Sequence, residues 1–134
     1  MSELMRAVRV AGLGKLLGMR WALQWGWEGL IRGHCLTRVI QTSLKIGLLE
    51  GAERAGWLDA REFAAGRGLD PDLVHALCDY LYARGVLARK QGRYGLDEPG
   101  RLLMQSELLQ GWFELVDGYE PVLHGLEPLV RGEA

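Results

Sequence analysis

The sequence predicts a mainly α-helical fold: a winged helix-turn-helix with a small β-hairpin wing and an N-terminal helical arm. Three observations carry that expectation. Two helix starts stand close together, at Asp59 and at Asp70-Pro71, with Gly66 and Gly68 between them. Leu73, Val74, Leu77, Cys78 and Leu81 then recur at three- and four-residue spacing, which puts one helix face in a core. Two short extended runs, Val86-Leu-Ala88 and Tyr94-Gly-Leu96, are joined by Gln91-Gly-Arg93, which has the composition of a hairpin turn.

Each element carries its own punctuation. Residues 1–33 read as a helical arm in which Gly12, Gly14, Gly18, Gly26 and Gly29 interrupt a partly periodic apolar pattern. Trp21 and Trp25 are four apart and share a helix face, and Trp27 follows. Leu13, Leu17, Trp21, Trp25, Trp27, Leu30 and Ile31 are the candidate interface residues. Such a surface needs a cover, and three are open: the protein's own core, a second chain, or a membrane interface. Residues 34–110 read as the winged-helix domain. It opens with a helix over His34–Glu53 whose apolar residues cover more than one face, as in a central buried element. Asp59-Ala-Arg-Glu62 has the form of a capping box. Asp70 and Pro71 suit the N-cap and first position of the next helix, and Gly85 suits its left-handed end. Asp97-Glu-Pro99 opens another helix. Residues 111–134 form a helical segment, with Gly111 and Gly118 read as breaks and no internal repeat recognised.

Length and composition set the bounds. A chain of 134 residues, 49% hydrophobic and 25% charged, can bury one core. The net charge of −1 gives no global call for nucleic acid. Its distribution is uneven: residues 1–45 hold seven Lys/Arg against two Glu, a net +5, which leaves −6 for the remainder. Cys35 and Cys78 imply no disulfide framework, and a reduced cytoplasmic compartment is expected. Arg6, Arg9, Lys15 and Arg20 interrupt every run that could be a signal peptide or a spanning helix.

Candidate chemistry is sparse. Gly12-Leu-Gly14 with Gly18 misses the G-x-G-x-x-G spacing by one residue and lacks a preceding strand. His34-Cys35 and His75-x-x-Cys78 contain zinc-ligand types, but adjacent helical residues point about 100° apart. Cys78 also belongs to an apolar stripe. No catalytic, cofactor or metal residue is assigned. The helix Pro71–Arg84 would be the DNA-reading helix, yet Asp70, Asp72 and Asp79 would repel phosphates there. The wing's Arg89, Lys90 and Arg93 keep a winged-helix transcriptional regulator as the alternative reading.

Several stretches carry a resemblance. Leu44-Lys-Ile-Gly-Leu-Leu-Glu50, Asp59-Ala-Arg-Glu-Phe-Ala-Ala65, Leu69-Asp-Pro-Asp-Leu73, Leu77-Cys-Asp-Tyr-Leu81, Gly85-Val-Leu87, Tyr94-Gly-Leu96 and Gly100-Arg-Leu-Leu103 stand in the order found in one family. Residues 34–131 resemble the N-terminal dimerisation domain of class I S-adenosylmethionine-dependent O-methyltransferases, the group of caffeate, hydroxyneurosporene and polyketide enzymes. The resemblance implies a winged helix that pairs two subunits and helps wall the partner's substrate pocket. It makes the arm, residues 1–33, a dimerisation arm and residues 111–134 a linker toward a catalytic domain. The family's Gly-rich cofactor loop, acidic ribose ligand and catalytic base match no residue here. The expected role is therefore a non-catalytic module or subunit of a truncated or split methyltransferase. Its partners would be a second copy, a catalytic subunit in trans, or both. S-adenosylmethionine is implied only for that catalytic domain.

Overall fold

The computed structural model describes residues 12–21, 26 and 28–133, which fall into two compact units divided between Leu36 and Thr37. In the first unit, α1 (Leu13–Trp21) follows Gly12, whose φ of 76° is left-handed. Helix α2 (Glu28–Lys45) begins in that unit, with an Arg32–Glu28 ion pair one turn apart, and ends in the second.

The single helix expected over His34–Glu53 is instead the end of α2 followed by α3 (Leu48–Ala55). Gly47 makes the break. Its φ of 74° is open to glycine and costly for other residues, and the Arg67 guanidinium donates to the Ile46 carbonyl at 3.2 Å. Burial is also narrower than the sequence predicts. Ile40, Gln41 and Ser43 of α2 and Leu48, Leu49 and Ala52 of α3 are buried, whereas residues 28–35 are exposed.

The helix-turn-helix is where its caps place it. Asp59 accepts from the Arg61 and Glu62 amides at 3.0 Å each and starts α4 (Ala60–Arg67). Asp70 accepts from the Asp72 and Leu73 amides at 2.9 and 3.1 Å and starts α5 (Pro71–Ala83) with Pro71 in the first turn. At the end of α5 the Val86 amide donates to Leu81 O and the Gly85 amide to Tyr82 O, a Schellman closure with Gly85 left-handed. The chain then enters β1 (Leu87–Lys90), which pairs antiparallel with β2 (Arg93–Leu96), Lys90 opposite Arg93. The turn is two residues, Gln91 and Gly92, both at positive φ (52° and 73°), so the strands extend further toward it than the runs expected from sequence. Leu58 adds a bridge to Tyr94, with N–O distances of 2.7 and 2.9 Å.

Asp97 donates its amide to Val86 O at 3.0 Å and caps α6 (Glu98–Gln105) through its carboxylate. Gly100 lies against the same Val86 carbonyl, leaving no room for a Cβ. Ser106 closes α6 and caps α7 (Glu107–His124), and α8 (Leu126–Val130) follows. The core of the second unit gathers Leu48, Leu49, Leu81, Leu87, Tyr94 and Cys78, all essentially out of water. Among the described residues the fold is mainly helical, with one two-stranded antiparallel sheet after the helix-turn-helix.

Helix α7 overturns a sequence expectation. Gly111 and Gly118, where breaks are expected, both lie inside it, and so does Pro121. Contacts along one side hold it. Gln110 donates to the Leu103 and Met104 carbonyls at 3.1 and 3.2 Å, Gln41 donates to Phe113 O at 3.1 Å, and Lys45 reaches Asp117 at 2.6 Å. Tertiary contacts of this kind override a glycine's weak helix preference.

Candidate interaction surface

Helix α7 is amphipathic in the inverted sense. Gln110, Phe113, Asp117 and Glu120 recur at three- and four-residue spacing and are half-buried, so this mostly polar side faces α2 and α6. Arg38 reaches Asp117 at 3.3 Å and Glu120 at 3.9 Å. Lys45, hydrogen-bonded to Asp117 with Arg38 beside it, holds the Asp117 carboxyl below the usual range. The apolar side looks outward. Leu108, Leu109, Trp112, Leu115, Val116 and Tyr119 are exposed, with Trp112 at 58% and Tyr119 at 57%, and the face continues through Val122 and Leu123 into α8. No residue of α7 or α8 is buried. A Cβ at Gly111 or Gly118 would meet nothing within 4 Å, so no contact among the described residues requires glycine there. Each costs an exposed helix about 1 kcal/mol relative to alanine.

The arm residues singled out from sequence are placed in part. Leu13 and Trp21 lie on the backbone of α1, and Leu17, also in α1, is exposed. Leu30 and Ile31 are exposed on α2, whereas Trp25 and Trp27 fall outside the described residues. Of the seven, the described side chains are therefore those of Leu17, Leu30 and Ile31. The outward face of α7 was missed as a site because its glycines read as breaks.

The α5 and wing face forms a polar network around Asp79. The Tyr94 hydroxyl, on a ring that is buried, donates to Asp79, His75 Nε2 lies 3.3 Å from the same carboxylate, and Arg89 lies 3.5 Å away. Burial first, and the Asp79 hydrogen bond second, push the Tyr94 phenol up to about 12. Burial, reinforced by Asp79, pushes the Cys78 thiol up to about 12 as well, so it stays protonated and unreactive at neutral pH. Asp72 is paired with Arg61 at 2.6 Å, and Asp70 is spent on its own helix cap. Arg89 stacks over Tyr82 at 4.5 Å and Lys90 lies over Trp57 at 6.0 Å. Two of the wing's cations, Arg89 and Lys90, therefore lie over aromatic rings of the domain, and Arg89 is also near Asp79.

One cleft of about 250 Å³ lies between α2, α3, α6 and α7, with Leu44, Met104 and Phe113 as its apolar lining. Lys45 and Asp117 close on each other across its rim, and its volume falls short of ordinary ligand pockets. Among the described residues no helix is long and apolar enough to cross a membrane.

Comparison with known proteins agrees with the fold. No curated protein sequence matches the chain. Among solved structures, the crystal structure of the S-adenosylmethionine-dependent methyltransferase SibL in its apo form superposes with a TM-score of 0.59 at 22% identity. That match covers 77% of this chain and 32% of the SibL chain, so the residues here span about a third of its length. The family profile described as the O-methyltransferase dimerisation domain matches residues 28–106, from the first turn of α2 through the helix-turn-helix and hairpin to the end of α6. With well over half the sequence matched, and with the helix-turn-helix and hairpin in place, the chain belongs to the O-methyltransferase dimerisation domain family.

Proposed function

We propose that this chain is the dimerisation and substrate-pocket part of an S-adenosylmethionine-dependent O-methyltransferase, non-catalytic by itself. The family match over residues 28–106 carries the reading. A dimerisation domain pairs with a second copy, and the exposed apolar groups Leu17, Leu30, Ile31 and the outward face of α7 supply surface for it. Trp21, Trp25 and Trp27 belong to the same proposed arm interface. The cofactor loop and the catalytic base would come from a Rossmann-type domain outside residues 1–134, in trans in a split enzyme. Among the described residues no glycine-rich loop follows a strand to hold the cofactor. Calorimetric titration of the full chain with S-adenosylmethionine is expected to give no binding isotherm. One stoichiometric site of micromolar affinity would overturn the non-catalytic assignment.

A further inference from the structure

The sequence from α7 through α8 repeats one seven-residue unit four times, Leu108-Leu-Gln-Gly111, Leu115-Val-Asp-Gly118, Val122-Leu-His-Gly125 and Leu129-Val-Arg-Gly132; the first two glycines lie inside α7, Gly125 separates the two helices, and Gly132 follows α8 at a φ of 73°. Trp112, Tyr119 and Leu126 follow the first three glycines. The segment lies beyond the residues matched to the family, 28–106. Leu108, Trp112, Leu115, Tyr119, Val122 and Leu126 alternate at four- and three-residue steps, the spacing of a coiled-coil seam. At about 100° per residue Gly111 and Gly118, the two glycines inside α7, line one edge of that seam, and Leu109, Val116 and Leu123 line the other.

We propose that this glycine-notched seam packs against the same seam of a second copy of the chain. The proposal rests on the self-association reading above and names the surface that carries it. Notch and ridge share one seven-residue period, so two copies side by side can set the branched edge of one into the glycine edge of the other. This gives Gly111 and Gly118 the close neighbour that the described residues do not supply. The area suffices. The eleven exposed apolar side chains from Leu108 to Val130 offer about 1,000 Å² per chain, against the ~800 Å² each partner buries in a stable complex. The charge pattern disfavours a lipid surface. The flanking groups are mainly acidic, Glu107, Glu114 and Glu127, whereas helices that lie on membranes carry Lys and Arg.

The test is the dimer dissociation constant, measured by sedimentation of full-length protein over a dilution series. The Leu115→Glu/Tyr119→Glu double variant should dissociate about a hundredfold more readily, with the helix content of the monomer unchanged because both side chains face solvent in the single chain, and with a melting temperature lowered only at concentrations where the wild type is dimeric. Gly118→Leu should weaken association while raising the helix content of the monomer, a combination that a purely intrachain role would not produce. A wild-type dimer whose variants associate equally tightly overturns the seam and leaves the self-association reading standing. A monomeric wild type overturns both. If wild type but not the double variant co-sediments with phosphatidylcholine–phosphatidylglycerol vesicles, and dimerisation is untouched, the seam belongs to lipid and the proposal fails.

Discussion

Tyr94 shows how one buried side chain ties the wing to the helix that precedes it. Its ring is out of water, its backbone bridges Leu58, its hydroxyl donates to Asp79, and His75 meets it edge-on with ring centroids 5.9 Å apart. Tyr94→Phe removes only the hydroxyl. The loss should be about 1 kcal/mol, below the usual range for a hydrogen bond to a charged group because Asp79 is nearly half exposed and water competes. Thermal melts should show the loss without any change in oligomeric state. The same region sets an alkaline limit. The Tyr94 and Cys78 groups are raised to about 12 from ordinary values of 10.0 and 9.0. Raised values mean that the folded state keeps protons the unfolded chain releases. Their contribution is complete below about pH 9 and drains away as the pH climbs toward 12. Tyr94→Phe should flatten the part of that decline above the ordinary phenol range, as read in melting temperature against pH.

Helix starts were the most legible elements because a single side chain fixes each of them. Asp59, Asp70 and Asp97 all accept first-turn amides as the sequence predicts, and Gly85 closes α5. Asp70→Ala should cost about 1 kcal/mol in chemical denaturation and leave assembly unchanged, since the carboxylate serves only its own helix. Helix continuity was less legible. Gly47 does break a helix and Gly111 and Gly118 do not, although residue type is the same. The difference is tertiary. Gly47 sits at positive φ with the Arg67 guanidinium beside it, whereas Gly111 and Gly118 ride on a helix anchored by Gln110, Phe113 and Asp117. Glycine spacing was the available signal. Four glycines recur seven apart, each preceded by two aliphatic residues with one residue between; the first two ride inside α7, whereas Gly125 and Gly132 follow the ends of α7 and α8.

At the scale of the whole molecule, the second unit builds its core from the end of α2 to α6 and turns the apolar side of α7 and α8 away from it. The winged-helix expectation and the family were readable from the order of caps, periodicity and hairpin. The outward surface was not, because which face of a helix meets its own domain depends on partners such as Arg38 and Lys45, which lie 79 and 72 residues from Asp117 in sequence. The acidic groups that pair with them, Asp117 and Glu120, occupy the side that would otherwise be apolar. A domain so arranged exposes more apolar surface than a monomer ordinarily leaves in water. The central claim is that the chain is an assembly module of the methyltransferase family, and its mass in solution tests that most directly. Light scattering on the full-length chain at micromolar concentration, with no detergent and no other protein, should return about twice the 15.0 kDa of one chain. A mass of one chain under those conditions would contradict it.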